Sequence, residues 1–299
     1  MSFKEIQFPL NPLTLAAKAW GPKNGYPVLA LHGWMDNANS FDRLAPLLTD
    51  IRLVALDLPG HGRSEHRASP MPYYVWEYGL DVLDVVDALG WETFGLLGHS
   101  LGGGVATLVA GMVPERVDRL VLIESVGPLA GSEEEMPASL LKARRAVQTL
   151  ADAQSRRAER QEAERGSSPR FRHTDEAVER RLLSPLTLPK SAIKILIERG
   201  THAVDGGFDW SHDPRLILPT AVRMTEAQIQ THIKLIEAPT DLILGDAGLF
   251  MDEERASFVQ ERLPLFRRLT RHLLSGGHHL HMDGDAEPIA RIMMNTFKK

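Results

Sequence analysis

An α/β architecture, in which a mostly parallel sheet is covered by helices, is the fold class predicted for this chain, and three observations predict it. Short apolar runs of strand length alternate with helix-length segments through the first third. Glycine-containing loops follow those runs, as in His32-Gly33 and Pro59-Gly60-His61-Gly62. Strand character then returns near the C-terminus after a long segment that lacks it.

Val28 to Leu31 and Leu53 to Leu56 are strand-like runs. Val75 to Leu89 reads as a helix, with Leu80, Leu83, Val86 and Leu89 at helical spacing and Gly90 as its stop. Phe94 to Leu97 is the next strand. It runs into Gly98-His99-Ser100-Leu101-Gly102 and then a helix of small residues to about Val113. Val117 to Ile123 is another buried strand. Thr240 to Leu244 and about Leu269 to Leu274 are the late strands, and a final helix runs from about Glu287 to Phe297.

Between them, from about Pro128 to Ala238, the chain becomes helix-like and heavily charged. An inserted helical lid (residues 128–238) is therefore expected within a core made of residues 1–127 and 239–299. In this insert Arg156, Arg157 and Arg160 are interleaved with Asp152, Glu159, Glu162 and Glu164, the pattern of a solvated helix face. Gly166-Ser167-Ser168-Pro169 and Ser184-Pro185 divide it into several helices.

Composition narrows the function classes. The 299 residues are 43% hydrophobic and 24% charged, enough to bury a full core, and the formal charge of -5 comes without a clustered basic face. Nucleic acid is therefore not an expected partner. The chain has no cysteine, which excludes disulfides, thiolate metal ligands and a cysteine nucleophile. Met1-Ser2-Phe3-Lys4-Glu5-Ile6 lacks the pattern of a secretory signal. The most apolar stretch, Gly102 to Val113, is short and carries four glycines, so stable membrane insertion is not expected and a cytoplasmic location is.

Gly98-His99-Ser100-Leu101-Gly102 fits G-x-S-x-G between a predicted strand and a predicted helix, the context that gives this pattern meaning. A serine on a sharp strand-to-helix turn presents Oγ above the sheet. The following helix aims its unpaired amides and positive dipole end at an anion forming there. Upstream, Leu29-Ala30-Leu31-His32-Gly33-Trp34 is a strand ending where a second amide donor is needed, so the backbone N–H groups of Trp34 and Leu101 are the candidate oxyanion donors.

Taken together, His32-Gly33-Trp34, Asp57-Leu58-Pro59-Gly60-His61-Gly62-Arg63-Ser64, the segment around Ser100 and Gly277-His278 resemble the α/β-hydrolase superfamily over the whole chain. Leu31 to Asp42 and Gly277-His278-His279-Leu280-His281-Met282 resemble the serine hydrolase-like proteins within it. The resemblance implies the order nucleophile, acid, histidine, which makes His278 the candidate base after the last strand. His279 is its competitor, and His281 lines the pocket or packs.

The acid departs from the commoner family pattern. Leu244-Gly245-Asp246-Ala247-Gly248 puts glycine where many relatives carry the catalytic aspartate. Glu124, at the end of the strand after the nucleophile helix, occupies a site that some superfamily members use instead, and it is the expected acid; Asp246 and Asp252 are the alternatives. Asp57 reads as a loop-fixing residue. His279-Leu280-His281-Met282-Asp283 has the spacing that begins an H-x-H-x-D metal motif, but matching further ligands are lacking and its position is wrong. No metal and no cofactor is expected.

Substrate contacts are expected from His32, His99, Trp210 and Met224, with Phe208 and Leu218 as further pocket candidates. Asp209 to Arg215 is a candidate entrance. The resemblance implies hydrolysis of a small-molecule carboxylic ester with small to medium acyl chains, since a helical lid restricts a pocket. Serine at position 100 argues against dehalogenase or epoxide hydrolase chemistry, which uses aspartate there. Carbon–carbon bond hydrolysis, cofactor-free perhydrolysis, and a ligand-binding or signalling role with residual catalysis are the rivals. Oligomeric state has no signature in the sequence.

Overall fold

In the computed structural model, which describes residues 2–163, 169–183, 188–251, 253–284 and 286–297, the chain opens with an antiparallel pair, β1 (Lys4–Pro9) and β2 (Thr14–Trp20). Neither strand was predicted. β1 is an edge strand with most side chains in solvent, and β2 carries three alanines and a lysine, residue types of low strand preference. β2 is buried nonetheless because Lys18 is compensated: its Nζ donates to Asn39 Oδ1 at 2.9 Å and to Asp42 Oδ1 at 2.5 Å.

The predicted elements follow. They are β3 (Tyr26–Leu31), β4 (Ile51–Leu56), α1 (Val75–Leu89), β5 (Phe94–His99), α2 (Leu101–Met112) and β6 (Val117–Ile123). Gly90 ends α1 at φ +68°, a conformation in which a side chain would be strained.

The middle segment holds α3 (Met136–Ala163), α4 (Thr174–Leu182), α5 (Lys190–Gly200), a hairpin of β7 (Thr201–Val204) and β8 (Gly207–Trp210), and α6 (Glu226–Leu235). The hairpin corrects the reading of this stretch as free of strands. Its Asp205-Gly206 turn is a strong local hairpin signal that four-residue strands on either side did not amplify. Arg156, Glu159 and Arg160 are exposed, as a solvated face requires, while Arg157 reaches Asp209. Glu164, Gly166, Ser167, Ser168, Ser184 and Pro185 lie outside the described residues.

The chain closes with β9 (Thr240–Ala247), α7 (Glu253–Arg262), β10 (Leu269–Gly277), α8 (Leu280–Asp283) and α9 (Glu287–Thr296). The sheet order is β1-β2-β4-β3-β5-β6-β9-β10, and every pairing from β4 to β10 is parallel.

The parallel strands are apolar on both faces because both are covered. Leu29, Leu31, Leu96, Leu120 and Leu122 pack with Val82 and Val85 of α1, Val105 and Val109 of α2, and Ile229 and Ile233 of α6. The alternate residues Val28, Ala30, Leu97, Val121 and Ile123 pack on the other side with Phe41 and with Ile289 and Met293 of α9. A third, smaller cluster belongs to the middle segment: Phe171, Val178, Ile193, Leu196 and Ile197, with Met282 reaching in from α8. Arg199 of α5 fastens this segment to the sheet, donating to Asp57 Oδ2 at 2.7 Å and to both oxygens of Glu5. Asp57 also accepts the amides of Ala38 and Arg63, the loop-fixing work expected of it.

Candidate active site

Ser100, Glu124 and His278 lie at the carboxyl ends of β5, β6 and β10, on the side of a parallel sheet where ligands bind. Ser100 has φ +50° and ψ −114°, and Glu124 has φ +48°. Non-glycine residues persist there only where surroundings over-determine them. Those surroundings are visible. The Ser100 amide donates to Ile123 O at 3.0 Å, and the Gly102 amide donates to His32 O at 3.0 Å. A Cβ on Gly102 would stand 2.1 Å from Leu31 O, so only glycine lets the start of α2 dock on the end of β3. Leu101 is the first residue of α2, and its N–H has no acceptor within the helix. Trp34 sits on the loop after β3, 41% exposed, its indole N–H donating to Leu216 O at 2.9 Å.

The Glu124 carboxylate is buried and oriented by two amides. Oε1 accepts from Gly245 N at 2.8 Å and Oε2 from Leu249 N at 2.9 Å, while His278 Nδ1 lies 3.2 Å from Oε2. The sequence departure at position 248 now has a steric cause. A Cβ on Gly248 would fall 2.2 Å from Glu124 Oε1, inside the volume that the glutamate fills. Asp246 is elsewhere: exposed, it accepts the Gly276 amide at Oδ1, 2.9 Å away. Asp252 lies outside the described residues.

The other histidines are braces. His32 is fully buried; its Nε2 accepts from Leu58 N at 3.1 Å, so Nδ1–H donates to Gly33 O at 2.8 Å, and burial holds its pKa below the ordinary value. His99 is also fully buried, and its Nε2–H donates to the carbonyl of His278 at 2.9 Å. Neither side chain reaches the surface, and each has a ring nitrogen tied to loop backbone. His281 packs, 2.8 Å from Ser40 Oγ, its pKa pushed down to about 3 by burial.

In the middle segment Trp210 packs edge-to-face on Phe171 and beside His212, and Phe208 joins the same cluster. Met224 and Leu218 are partly buried, Met224 against the main core. The candidate entrance from Asp209 to Arg215 is tied at several points. Asp209 holds Arg157 and Arg170, and the Asp213 carboxylate accepts from Tyr73 OH at 2.9 Å while its amide donates to Gly60 O at 2.8 Å.

Sequence reasoning missed Asp36. It is 2% exposed, and its Oδ2 is 3.2 Å from His279 Nε2 and 3.7 Å from His99 Nδ1, while Arg181 of α4 stands 3.6 Å from Oδ1. The contributing segments are far apart in the chain, so no linear spacing could mark them.

The family model described as alpha/beta hydrolase fold matches residues 26–285. This chain belongs to the α/β-hydrolase family. The hydrolase is 33% identical to a serine hydrolase-like protein of Dictyostelium discoideum over 91% of its own length and 75% of that protein. It is 34% identical to serine hydrolase-like protein 2 of Homo sapiens over 90% of its length and 86% of the relative. Among solved structures, a hypothetical protein of Pseudomonas aeruginosa PAO1 is 38% identical with a TM-score of 0.83, covering 98% of both chains. A thioesterase domain from the curacin biosynthetic pathway is 25% identical with a TM-score of 0.79, covering 99% of this hydrolase and 100% of that domain. The hydrolase is thus serine hydrolase-like, and no helix among the described residues is long and apolar enough to cross a membrane.

Proposed function

We propose that this hydrolase cleaves carboxylic esters of small to medium acyl chains through an acyl-enzyme on Ser100. The observation that carries the reading is the buried Glu124 carboxylate, held by two amides and facing His278 Nδ1 at 3.2 Å, beside a serine on a strained strand-to-helix turn. Glu124 accepts the Nδ1–H of His278, which leaves Nε2 as the base. Ser100 Oγ attacks the ester carbonyl as His278 takes its proton, and the amides of Trp34 and Leu101 donate to the oxyanion. An oxyanion donor of this kind supplies about 2.7–4 kcal/mol of transition-state stabilisation. The tetrahedral intermediate collapses as His278 protonates the departing alcohol. Water, deprotonated by His278, then attacks the acyl-serine, and His278 returns that proton to the departing Ser100 Oγ.

Residues 128–238 act as a lid in this reading, with their own small core and the Arg199 tie to the sheet supporting that role. The test is hydrolysis of a chain-length series of p-nitrophenyl esters by wild type and Ser100→Ala, with fluorophosphonate labelling in parallel. Turnover that favours short and medium chains, with turnover and labelling both lost in the folded variant, is the expected result. Undiminished turnover in Ser100→Ala would remove the serine mechanism. Labelling without turnover would move the substrate class to carbon–carbon cleavage or ligand binding.

A further inference from the structure

We infer that Asp36, His99 and His279 form a binding site for one first-row divalent cation of the zinc type, separate from the Glu124–His278 pair. Three segments supply it: the loop after β3, the end of β5 and the loop after β10. The three side chains are 2%, 0% and 3% exposed, and one ligand atom from each lies within 4.8 Å of the other two.

The lone pairs of these groups point at one another. His99 Nε2 faces the carbonyl of His278 at 2.9 Å, and a carbonyl only accepts, so the ring proton is on Nε2 and Nδ1 carries a lone pair. That lone pair has no hydrogen-bond partner and confronts Asp36 Oδ2 at 3.7 Å. Neither oxygen of Asp36 accepts a hydrogen bond of good geometry, although His279 Nε2 comes within 3.2 Å of Oδ2. The His99 lone pair and Asp36 Oδ2 are buried acceptors set face to face, which is costly, and a cation between them removes that cost.

The donor set selects the cation. Two imidazole nitrogens and one carboxylate oxygen suit zinc and its neighbours rather than calcium or magnesium, which prefer oxygen. Metal–ligand bonds of about 2.0–2.2 Å in a tetrahedron place ligand atoms about 3.4 Å apart. The 3.2 Å and 3.7 Å separations to Asp36 bracket that spacing, and the two histidine nitrogens, within 4.8 Å of each other, draw together as the cation binds. A metal-bound imidazole usually donates its other N–H to a carbonyl or carboxylate, which is what His99 does toward His278. Arg181 sits by the opposite carboxylate oxygen, 3.6 Å from Oδ1, and leaves Oδ2 to the cation. Only His279 of the His279-Leu280-His281-Met282-Asp283 run takes part; His281 Nε2 is engaged with Ser40 Oγ.

The test uses full-length protein produced in zinc-supplemented medium, washed with a mild chelator and measured for metal content by mass spectrometry. Wild type is expected to retain one equivalent of zinc and to lose thermal stability when a strong chelator strips it. Asp36→Asn and His279→Gln are each expected to lower zinc affinity tenfold or more in calorimetric titration. Zinc content far below one equivalent in wild type, or uptake unchanged in both variants, would overturn the site. Should the variants fail to fold, cobalt-loaded wild type decides: visible bands of a four-coordinate nitrogen and oxygen set support the site. Bands of hydrated cobalt alone exclude it.

Discussion

Glu124 and Asp36 are buried carboxylates that each face a histidine, and they are satisfied in opposite ways. Glu124 accepts two backbone amides at 2.8 and 2.9 Å and meets His278 Nδ1 at 3.2 Å. Asp36 has no well-formed hydrogen bond at either oxygen, and its neighbours are ionisable side chains: His279, Arg181 and His99. Backbone amides cannot titrate or swing away, so they fix both the charge and the aim of a carboxylate. Side-chain partners leave it dependent on their own protonation. The first arrangement suits a group that must orient a base through many turnovers, and the second suits a group that waits for a cation.

The sharpest way to break this comparison is to remove the charge from Glu124 while keeping its shape. Glu124→Gln is expected to lower kcat for p-nitrophenyl acetate by about 10⁴-fold, because an amide favours the wrong histidine tautomer. Asp246→Asn keeps an acceptor for the Gly276 amide and is expected to stay within about threefold of wild type, on the scale of an exposed, conservative change. The reverse pattern in steady-state kinetics would transfer the role to Asp246.

Next in size is Gly248→Ala. Its methyl group needs the space 2.2 Å from Glu124 Oε1, so the carboxylate must shift away from His278. A displacement near 1 Å at an orienting group costs about a hundredfold in rate. Thermal unfolding measured alongside separates this from global damage, and wild-type kcat in a folded Gly248→Ala would mean that Glu124 is not confined as described.

The histidines near Asp36 predict a pH-dependent effect on stability rather than on rate. His32, His61, His99 and His281 are fully buried with folded-state pKa values held below the ordinary one, His281 at about 3. Unfolded histidines take up protons near about pH 6.5, while these remain neutral in the fold. Their stabilising contribution is therefore complete above that pH and is lost as pH falls toward the folded values. The slope is about 1.4 kcal/mol per pH unit for each such histidine. Urea unfolding midpoints should drop steeply from pH 7 to pH 5, and a flat profile would show that these rings accept protons without unfolding.

How much of this was legible in the sequence follows from how local each signal is. The parallel strands are dense apolar runs bounded by turns, and α1 announces its face and its glycine stop, so their positions could be read directly. Ser100 is marked by a five-residue pattern in the right context. Glu124 was found by its place at a strand end, and the structure brings it to His278. The glycine at 248 was visible as a departure, but its cause, the volume taken by a side chain 124 residues earlier, was not. Lys18 hid β2 because its partners Asn39 and Asp42 come from another loop. Asp36 was hidden in the same way, since the atoms around it meet only once three strands align.

The central claim is a covalent acyl intermediate on one serine, and the most direct measurement is mass spectrometry of the protein quenched during turnover of p-nitrophenyl acetate. An acetyl adduct on the peptide containing Ser100, absent from Ser100→Ala, is the predicted result. Continued turnover with no adduct, or with acyl groups only on other residues, would contradict it.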